Sequence, residues 1–154
     1  MNTNRSQRKK VKVLVIEDND DHWTLMEKAM ANSFTEAVPV RVASADEALM
    51  LLEDWLLEEW EMPKLILQDL YLPDNKDGLS FVRRFKSMPV TCNRIPIVML
   101  SSSSIHADIT EAYQLGVSSY ALKPTDFQGW ITLFNDLRFY WLETVTLPTT
   151  HYSL

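Results

Sequence analysis

Short apolar runs alternate along the chain with longer segments in which apolar residues recur every three or four positions. Most of the runs are five or six residues long and rich in valine, isoleucine or leucine, which is typical of strands. The predicted strands are residues 11–16, 38–43, 64–69, 95–100 and 118–122. The almost continuous apolar character of the first and fourth runs indicates strands covered on both faces, as in a parallel sheet.

The segments after these strands have the apolar spacing of amphipathic helices, and their ends carry helix signals. Ser44 with Glu47, and Thr125 with Gln128, have the spacing of capping boxes, while Gly116 is typical of a helix end. The predicted helices are residues 20–33, a segment from 44, a segment opened at 77–78, residues 105–115 and a last helix to about 143. The order predicts an open, doubly wound α/β sheet of five parallel strands flanked by five helices.

The length of the chain limits its number of domains, and its charge limits the class of partner it can bind. Its 154 residues fit one domain, which we place at residues 11–143, between a basic arm (1–10) and an extended tail (144–154). The net charge of −6 argues against a general nucleic-acid binder. The arm contains Arg5, Arg8, Lys9 and Lys10, and such a run is more often a solvated segment than a nucleic-acid or membrane contact.

The single cysteine, Cys92, excludes an intrachain disulfide and is more typical of a small core residue than of a nucleophile. No apolar stretch is long enough to cross a membrane. We therefore expect a cytoplasmic protein with no membrane contact.

Charged and hydroxyl side chains follow four of the five predicted strands, where each strand ends. Glu17 and Asp18 follow the first strand, Asp69 ends the third, serines 101–104 follow the fourth, and Lys123 follows the fifth. In a doubly wound sheet these ends form the ligand-binding edge. Three carboxylates crowded at that edge would repel one another, and oxygen ligands of this kind suit Mg2+. A neighbouring hydroxyl and ammonium complete the groups needed to stabilise a phosphoryl group on a carboxylate.

Each of these features alone has a more ordinary explanation. An acidic pair after a strand is most often a helix cap, a serine run is usually a loop, and Lys-Pro often precedes a helix. Their joint occurrence at four strand ends is much harder to obtain by chance.

Four segments carry a family resemblance: VLVIEDND, LILQDLYLPD followed by DG, IPIVMLSSSS and SSYALKP. In order and spacing they resemble the signature blocks of response-regulator receiver domains, and the resemblance covers roughly residues 11–143. It implies the flavodoxin-like receiver fold, with Asp69 accepting a phosphoryl group from the phosphohistidine of a histidine kinase.

The resemblance also implies a metal site and a switch. Asp18 and Asp69 would ligate Mg2+ directly, together with the main-chain carbonyl of Tyr71, and Glu17 would reach the metal mainly through water. The family more often has aspartate at the position of Glu17, but both residues supply a carboxylate. The bulky Tyr71 side chain predicts slow autodephosphorylation, because it would shield the acyl phosphate from water.

Three further residues complete the implied switch. Ser101 would be the switch hydroxyl, where threonine is commoner in the family. Lys123 would pair with the phosphorylated aspartate, and Tyr120 would be the aromatic residue whose position reports the switch.

The C-terminal segment FYWLETVTLP, residues 139–148, has a narrower likeness. It resembles the last block of small response regulators that partner bacterial and cyanobacterial phytochromes, which are receivers without an output domain and are often dimers. This likeness implies a phytochrome-type histidine kinase as the partner.

The last predicted helix has more apolar residues than one packing stripe requires, which predicts a homodimer through this helix and its neighbours. Its apolar residues are Phe127, Trp130, Ile131, Leu133, Phe134, Leu137, Tyr140 and Trp141. The alternative is that Tyr140 and Trp141 only cover the helix end and hold the tail.

Three functions fit these features, and a phosphorylation switch that signals through protein contacts fits best. A phosphorylation-independent pseudo-receiver scaffold is the alternative, although such a protein would be expected to lack the acceptor, metal acids or lysine. A phosphatase with an aspartyl nucleophile typically needs a second acid two residues later, where this chain has Tyr71. We therefore expect no enzyme acting on a separate substrate.

Overall fold

The computed structural model describes residues 10–146, which form a five-stranded parallel sheet in the order β2-β1-β3-β4-β5. The strands are β1 (Val11–Ile16), β2 (Ala37–Val42), β3 (Leu65–Asp69), β4 (Ile97–Ser101) and β5 (Ser119–Leu122). The order reverses between β1 and β3, so the sheet is doubly wound as predicted. Each predicted strand lies within two residues of the observed one.

Helices cover both faces of the sheet. They are α1 (Asp20–Ser33), α2 (Ala45–Leu56), α3 (Asn75–Lys86), α4 (Val90–Asn93), α5 (His106–Leu115) and α6 (Phe127–Arg138). A 3-10 turn spans Glu59–Glu61, and a π-helical turn, Phe139–Thr144, continues α6. The five predicted helices are present; α4 is an additional single turn, whose four residues are too few to show amphipathic spacing.

The alternation of side chains along the buried strands divides the core into two clusters. In β1, Leu14 and Ile16 pack with residues of α2 and α3, while Val13 and Val15 pack with residues of α1 and α6. All four residues are fully buried. The continuous apolar run in the sequence therefore reflects a strand with helices on both faces.

Two helix starts agree closely with the sequence. Asn19 caps α1 by accepting a hydrogen bond from the His22 backbone N–H. Ser44 caps α2 by accepting from the Glu47 backbone N–H, as predicted. The Glu47 carboxylate, however, accepts from the Ala43 backbone N–H rather than from that of Ser44, so the predicted capping box is shifted by one residue on one side.

The other two starts differ from the sequence prediction. Asp74, not Asp77-Gly78, opens α3, because the Asp74 side chain accepts from the backbone N–H of Asp77 in a full capping box. Asp126, rather than Thr125, caps α6 by accepting from the backbone N–H of Gly129. In both segments a neighbouring acid replaced the cap that spacing had indicated.

Two glycines have positions that a side chain would disturb. Gly116 ends α5 with φ of 106°, the left-handed conformation that glycine adopts without steric cost, and this confirms the predicted helix end. A Cβ on Gly78 would lie 2.0 Å from the Leu70 carbonyl oxygen. The absence of a side chain at Gly78 thus lets α3 approach the segment that follows β3.

The fold itself buries much of the aromatic surface of the last helix. Trp130, Phe134, Leu137 and Trp141 are each less than 10% exposed and pack in the cluster formed with β1, β3 and α1. Their spacing therefore marks the buried face of α6 and of the π-helical turn that continues it, and these four residues leave little exposed apolar surface. Exposed apolar side chains in this region are Phe127, Phe139 and Tyr140.

The two predicted terminal segments lie largely outside the described residues. Residues 1–9 of the arm and 147–154 of the tail are not described. Lys10 donates a hydrogen bond to the Thr35 carbonyl, and Val145 packs against the α1–α6 cluster. Within residues 10–146, no helix is long and apolar enough to cross a membrane.

Candidate functional site

The carboxyl edge of the sheet brings together the charged residues that the sequence placed at strand ends. Glu17 and Asp18 follow β1, Asp69 is the last residue of β3, and Lys123 follows β5. One carboxylate oxygen from each of the three acids lies within 4.8 Å of the others. Glu17 and Asp69 are buried, whereas Asp18 is exposed. The predicted acidic cluster is therefore present as a geometric unit.

Lys123 connects two of these acids. Its Nζ lies 2.9 Å from Asp69 Oδ2 and 2.7 Å from Glu17 Oε1, and its side chain is only 5% exposed. The Lys123 backbone N–H donates to the carbonyl of Ser101, which fixes the end of β5 against β4. The sheet thus holds the Lys123 ammonium against the Asp69 carboxylate, whose negative charge offsets that of the ammonium.

Burial leaves Glu17 with an unusual protonation preference. Loss of solvent and the neighbouring Asp69 carboxylate raise the pKa of Glu17 to about 8, although Lys123 acts in the opposite direction. Within residues 10–146, Glu17 Oε2 is a buried oxygen with no hydrogen-bond partner. A cation beside Asp18 and Asp69 would give this oxygen a positively charged partner. The three carboxyl groups therefore fit a hard divalent metal.

His22, on the first turn of α1, is a member of the site that the sequence did not indicate. Its Nδ1 lies 2.9 Å from Lys123 Nζ and 3.1 Å from Glu17 Oε1. Burial and the Lys123 ammonium lower the pKa of His22, which favours a neutral ring whose Nδ1 accepts a hydrogen bond from Lys123. The sequence signal was weak, because a lone histidine in a helix near a surface is usually a solvated residue.

A cavity of about 200 Å³ opens above Asp69. Its lining residues are Asp18, Asn19, His22, Asp69, Tyr71, Pro73, Ser102 and Lys123. The Tyr71 backbone N–H donates to Asp69 Oδ1 at 3.1 Å, so Tyr71 is tied directly to the predicted acceptor. The role of the Tyr71 main-chain carbonyl as a metal ligand stays a prediction.

The predicted switch residues lie on the neighbouring strands β4 and β5. Ser101 is fully buried, and its Oγ accepts a hydrogen bond from the Ser103 backbone N–H at 3.0 Å. Tyr120 is half-buried, and its hydroxyl donates to the Ser103 carbonyl at 2.8 Å. Ser103 therefore connects the two residues, and the serine that lines the cavity itself is Ser102.

Residues 13–134 match the response regulator receiver domain family. The chain belongs to this family. The match confirms the resemblance carried by the four sequence segments and identifies a two-component response regulator, which acts with a histidine kinase. The doubly wound sheet is the fold expected of such a receiver.

Comparison with known proteins shows which members of the family this chain is similar to. The chain is 32% identical over 135 residues to response regulator Rcp1 of Synechocystis sp., covering 80% of this chain and 90% of that protein. The crystal structure of the phosphorylated cyanobacterial phytochrome response regulator RcpA is 34% identical, with a TM-score of 0.79 over 91% of this chain and 99% of RcpA. The Mn2+-bound form of Rcp1 is 29% identical, with a TM-score of 0.75 over 90% of this chain and 99% of that structure. This receiver is thus closely related to phytochrome response regulators.

Proposed function

We propose that Asp69 is the phosphoryl acceptor of this response regulator and that a histidine kinase supplies the phosphoryl group. The observation that carries the proposal is the buried Lys123 ammonium, 2.9 Å from Asp69 Oδ2 beside two further carboxylates. A carboxylate that must take on a phosphoryl group needs nearby positive charge, because charge accumulates on the transferring oxygens.

In the transfer, an Asp69 carboxylate oxygen attacks phosphorus and the bond from phosphorus to the kinase imidazole nitrogen breaks. The imidazole leaves with its electron pair and takes up a proton. Lys123 stays close to the charge that moves onto the phosphoryl oxygens. The Tyr71 backbone N–H holds Asp69 Oδ1, which keeps the carboxylate oriented during the attack.

Mg2+ is the proposed metal, held by Asp18, Asp69 and the Tyr71 main-chain carbonyl, with Glu17 acting mainly through water. When bound, it neutralises charge on the phosphoryl oxygens and helps to align them. The oxygen-only donor set and the unpartnered Glu17 Oε2 support a hard divalent cation. The Mn2+ in the related Rcp1 structure supports the same metal class.

Ser101 and Tyr120 are the proposed switch residues. Ser101 would turn its hydroxyl toward the new phosphoryl group, and Tyr120 would report that movement through Ser103, whose backbone now contacts both residues. The output is a change in protein contacts, and no separate substrate is turned over. The free, buried Cys92 agrees with a reducing, cytoplasmic location.

The first experiment is to incubate the protein with Mg2+ and acetyl phosphate and to measure its intact mass. We expect a gain of one phosphoryl group, which Asp69→Asn abolishes because the amide cannot form an acyl phosphate. Omitting Mg2+ should greatly reduce the gain. A folded wild-type protein that gains no mass would refute the switch and favour the pseudo-receiver scaffold.

The proposed partner is a phytochrome-type histidine kinase. The relatedness to RcpA and Rcp1 supports this choice. Phosphotransfer to the wild-type protein from a phytochrome kinase should be faster than from an unrelated histidine kinase under the same conditions. Equal rates from both kinases would remove the support for this pairing.

A homodimer through the last helix and its neighbouring elements is also proposed. The support is the exposed pair Phe139 and Tyr140 just after α6, together with Phe127, which is exposed at the start of the same helix. Sedimentation of the wild type and of a Phe139→Ser, Tyr140→Ser variant, with and without phosphorylation, tests the interface. The variant should sediment as a monomer; an unchanged dimer would place the interface elsewhere.

A further inference from the structure

Asp108 is a buried acid that the phosphorylation site described above does not use. It is the third residue of α5 and only 7% exposed. It lies in the first turn of α5, at the positive end of the helix dipole. A buried carboxylate is costly unless its oxygens accept hydrogen bonds, so its donors indicate what it holds in place.

Those donors come from two separate segments of the chain, one after β3 and one after β4. Ser103 Oγ donates to Asp108 Oδ2 at 2.9 Å, and the Tyr71 hydroxyl donates to the same oxygen at 3.4 Å. Asn75 Nδ2 donates to Asp108 Oδ1 at 3.1 Å. Tyr71 and Asn75 follow the acceptor Asp69, whereas Ser103 follows β4. The Asp108 carboxylate therefore joins the acceptor segment to the segment that carries the switch hydroxyl.

Asp108 also fixes the far end of the Tyr71 side chain. The Tyr71 backbone N–H is tied to Asp69 Oδ1, and its hydroxyl is tied to Asp108 Oδ2. Tyr71, attached at both ends in this way, lines the cavity above Asp69. A tyrosine held at one end only could rotate away from the cavity mouth, since its χ1 torsion allows several staggered positions.

We propose that Asp108 is a positioning residue that holds the Tyr71 ring across the cavity and so limits the access of water to the aspartyl phosphate. The inference rests on the proposed phosphorylation of Asp69. In the hydrolysis that it slows, a water oxygen bonds to phosphorus and the bond from phosphorus to the Asp69 oxygen breaks. The electron pair stays on the Asp69 carboxylate, and the water proton passes to the phosphate or to solvent.

The test compares three variants: Tyr71→Phe, Asp108→Asn and the double variant. Tyr71→Phe keeps the ring and removes only the hydroxyl that bonds Asp108, while Asp108→Asn is close in shape and weakens the same bond. After phosphorylation with acetyl phosphate and removal of the donor, the loss of phosphoryl mass is followed at constant Mg2+. Each single variant should lose the group roughly 2- to 10-fold faster, the range expected for one hydrogen bond.

The double variant separates positioning from general destabilisation. If Asp108 acts through the Tyr71 hydroxyl, the double variant should decay about as fast as the faster single variant rather than at the product of the two effects. Urea unfolding of every variant shows whether the fold is intact. Glu111→Gln, an acid on the same helix that contacts Arg83 at the surface, is the matched control and should decay at the wild-type rate.

The outcomes distinguish this inference from the proposed function. Folded variants that accept one phosphoryl group and lose it at the wild-type rate would overturn the role of Asp108 and leave the role of Asp69 intact. Multiplied effects in the double variant would also overturn it, because Asp108 would then act independently of Tyr71. A wild-type protein that gains no phosphoryl group would overturn both.

Discussion

The carboxyl edge of the sheet and the α1–α6 side of the core use buried space in opposite ways. At the edge, Glu17, Asp69 and Lys123 exclude water around charges, and one Glu17 oxygen lacks a hydrogen-bond partner within residues 10–146. On the α1–α6 side, Trp130 and Phe134 stack with ring centroids 6.1 Å apart among apolar neighbours. The first region is equipped for chemistry, and the second contributes hydrophobic stabilisation.

Stability and the candidate site thus depend on different regions of this receiver. Crowded charges at the site raise the free energy of the metal-free folded state, and the apolar core must offset that cost. Substitutions in the two regions should therefore change the free energy of unfolding with opposite signs. The predictions below test that separation.

The largest effect is expected for Phe134→Ala. Phe134 is fully buried, and its removal loses apolar burial and leaves a cavity beside Trp130. We expect the free energy of unfolding to fall by about 3–5 kcal/mol in urea titrations. Phe134→Leu, which keeps more of the volume, is the graded control and should lose much less. Equal losses for the two variants would show that cavity formation does not control this site.

Glu17→Gln should have the opposite effect. Glutamine keeps the size of the side chain and carries no charge, so the metal-free protein should gain roughly 1–3 kcal/mol in free energy of unfolding at pH 8. Saturating Mg2+ should shrink or reverse that gain, because the wild type binds the metal more tightly. A variant less stable than the wild type without metal would show that the Lys123–Glu17 ion pair outweighs the burial cost.

The pH dependence gives the sign of the Glu17 effect independently. The pKa of Glu17 is about 8 in the folded protein against 4.5 for an ordinary glutamate, so the folded state retains a proton that the unfolded state releases. The contribution of Glu17 to stability is therefore complete below pH 4.5 and is lost as the pH rises toward 8. In chelator, the difference between Glu17→Gln and the wild type should widen over this window, as urea titrations at several pH values would show.

Much of the fold was predictable because the strands are buried on both faces. Such strands read as apolar runs whatever the details of packing, and all five were located within two residues. The cap residues that begin α3 and α6 were not predicted correctly, because several acids and hydroxyl residues lie near the start of each helix. In the structure, Asp74 and Asp126 are the caps, because their side chains accept hydrogen bonds from backbone N–H groups of the first helical turn.

The residues of the candidate site also fall into two groups, those that the sequence predicted and those that it did not. Glu17, Asp69 and Lys123 were found because a parallel sheet brings successive strand ends to one edge, which depends only on topology. His22 and Asp108 were not found, because they lie on helices and reach the site by the direction of their side chains. That direction follows from helix packing, which the spacing of residues does not specify. For the same reason, the sequence did not show which aromatic residues of α6 are buried and which are exposed, because both groups consist of similar apolar residues.

The smallest effect on stability is expected for Phe139→Ser, only five residues from Phe134. Phe139 is 61% exposed in the monomer, so the substitution removes little buried surface. Below the concentration at which the protein associates, the free energy of unfolding should change by no more than about 0.5 kcal/mol. At high concentration the wild type alone should gain stability, because association favours the folded state. Urea titrations at two protein concentrations measure both quantities. A loss of several kcal/mol at low concentration would make Phe139 part of the monomer core and remove it from the proposed interface.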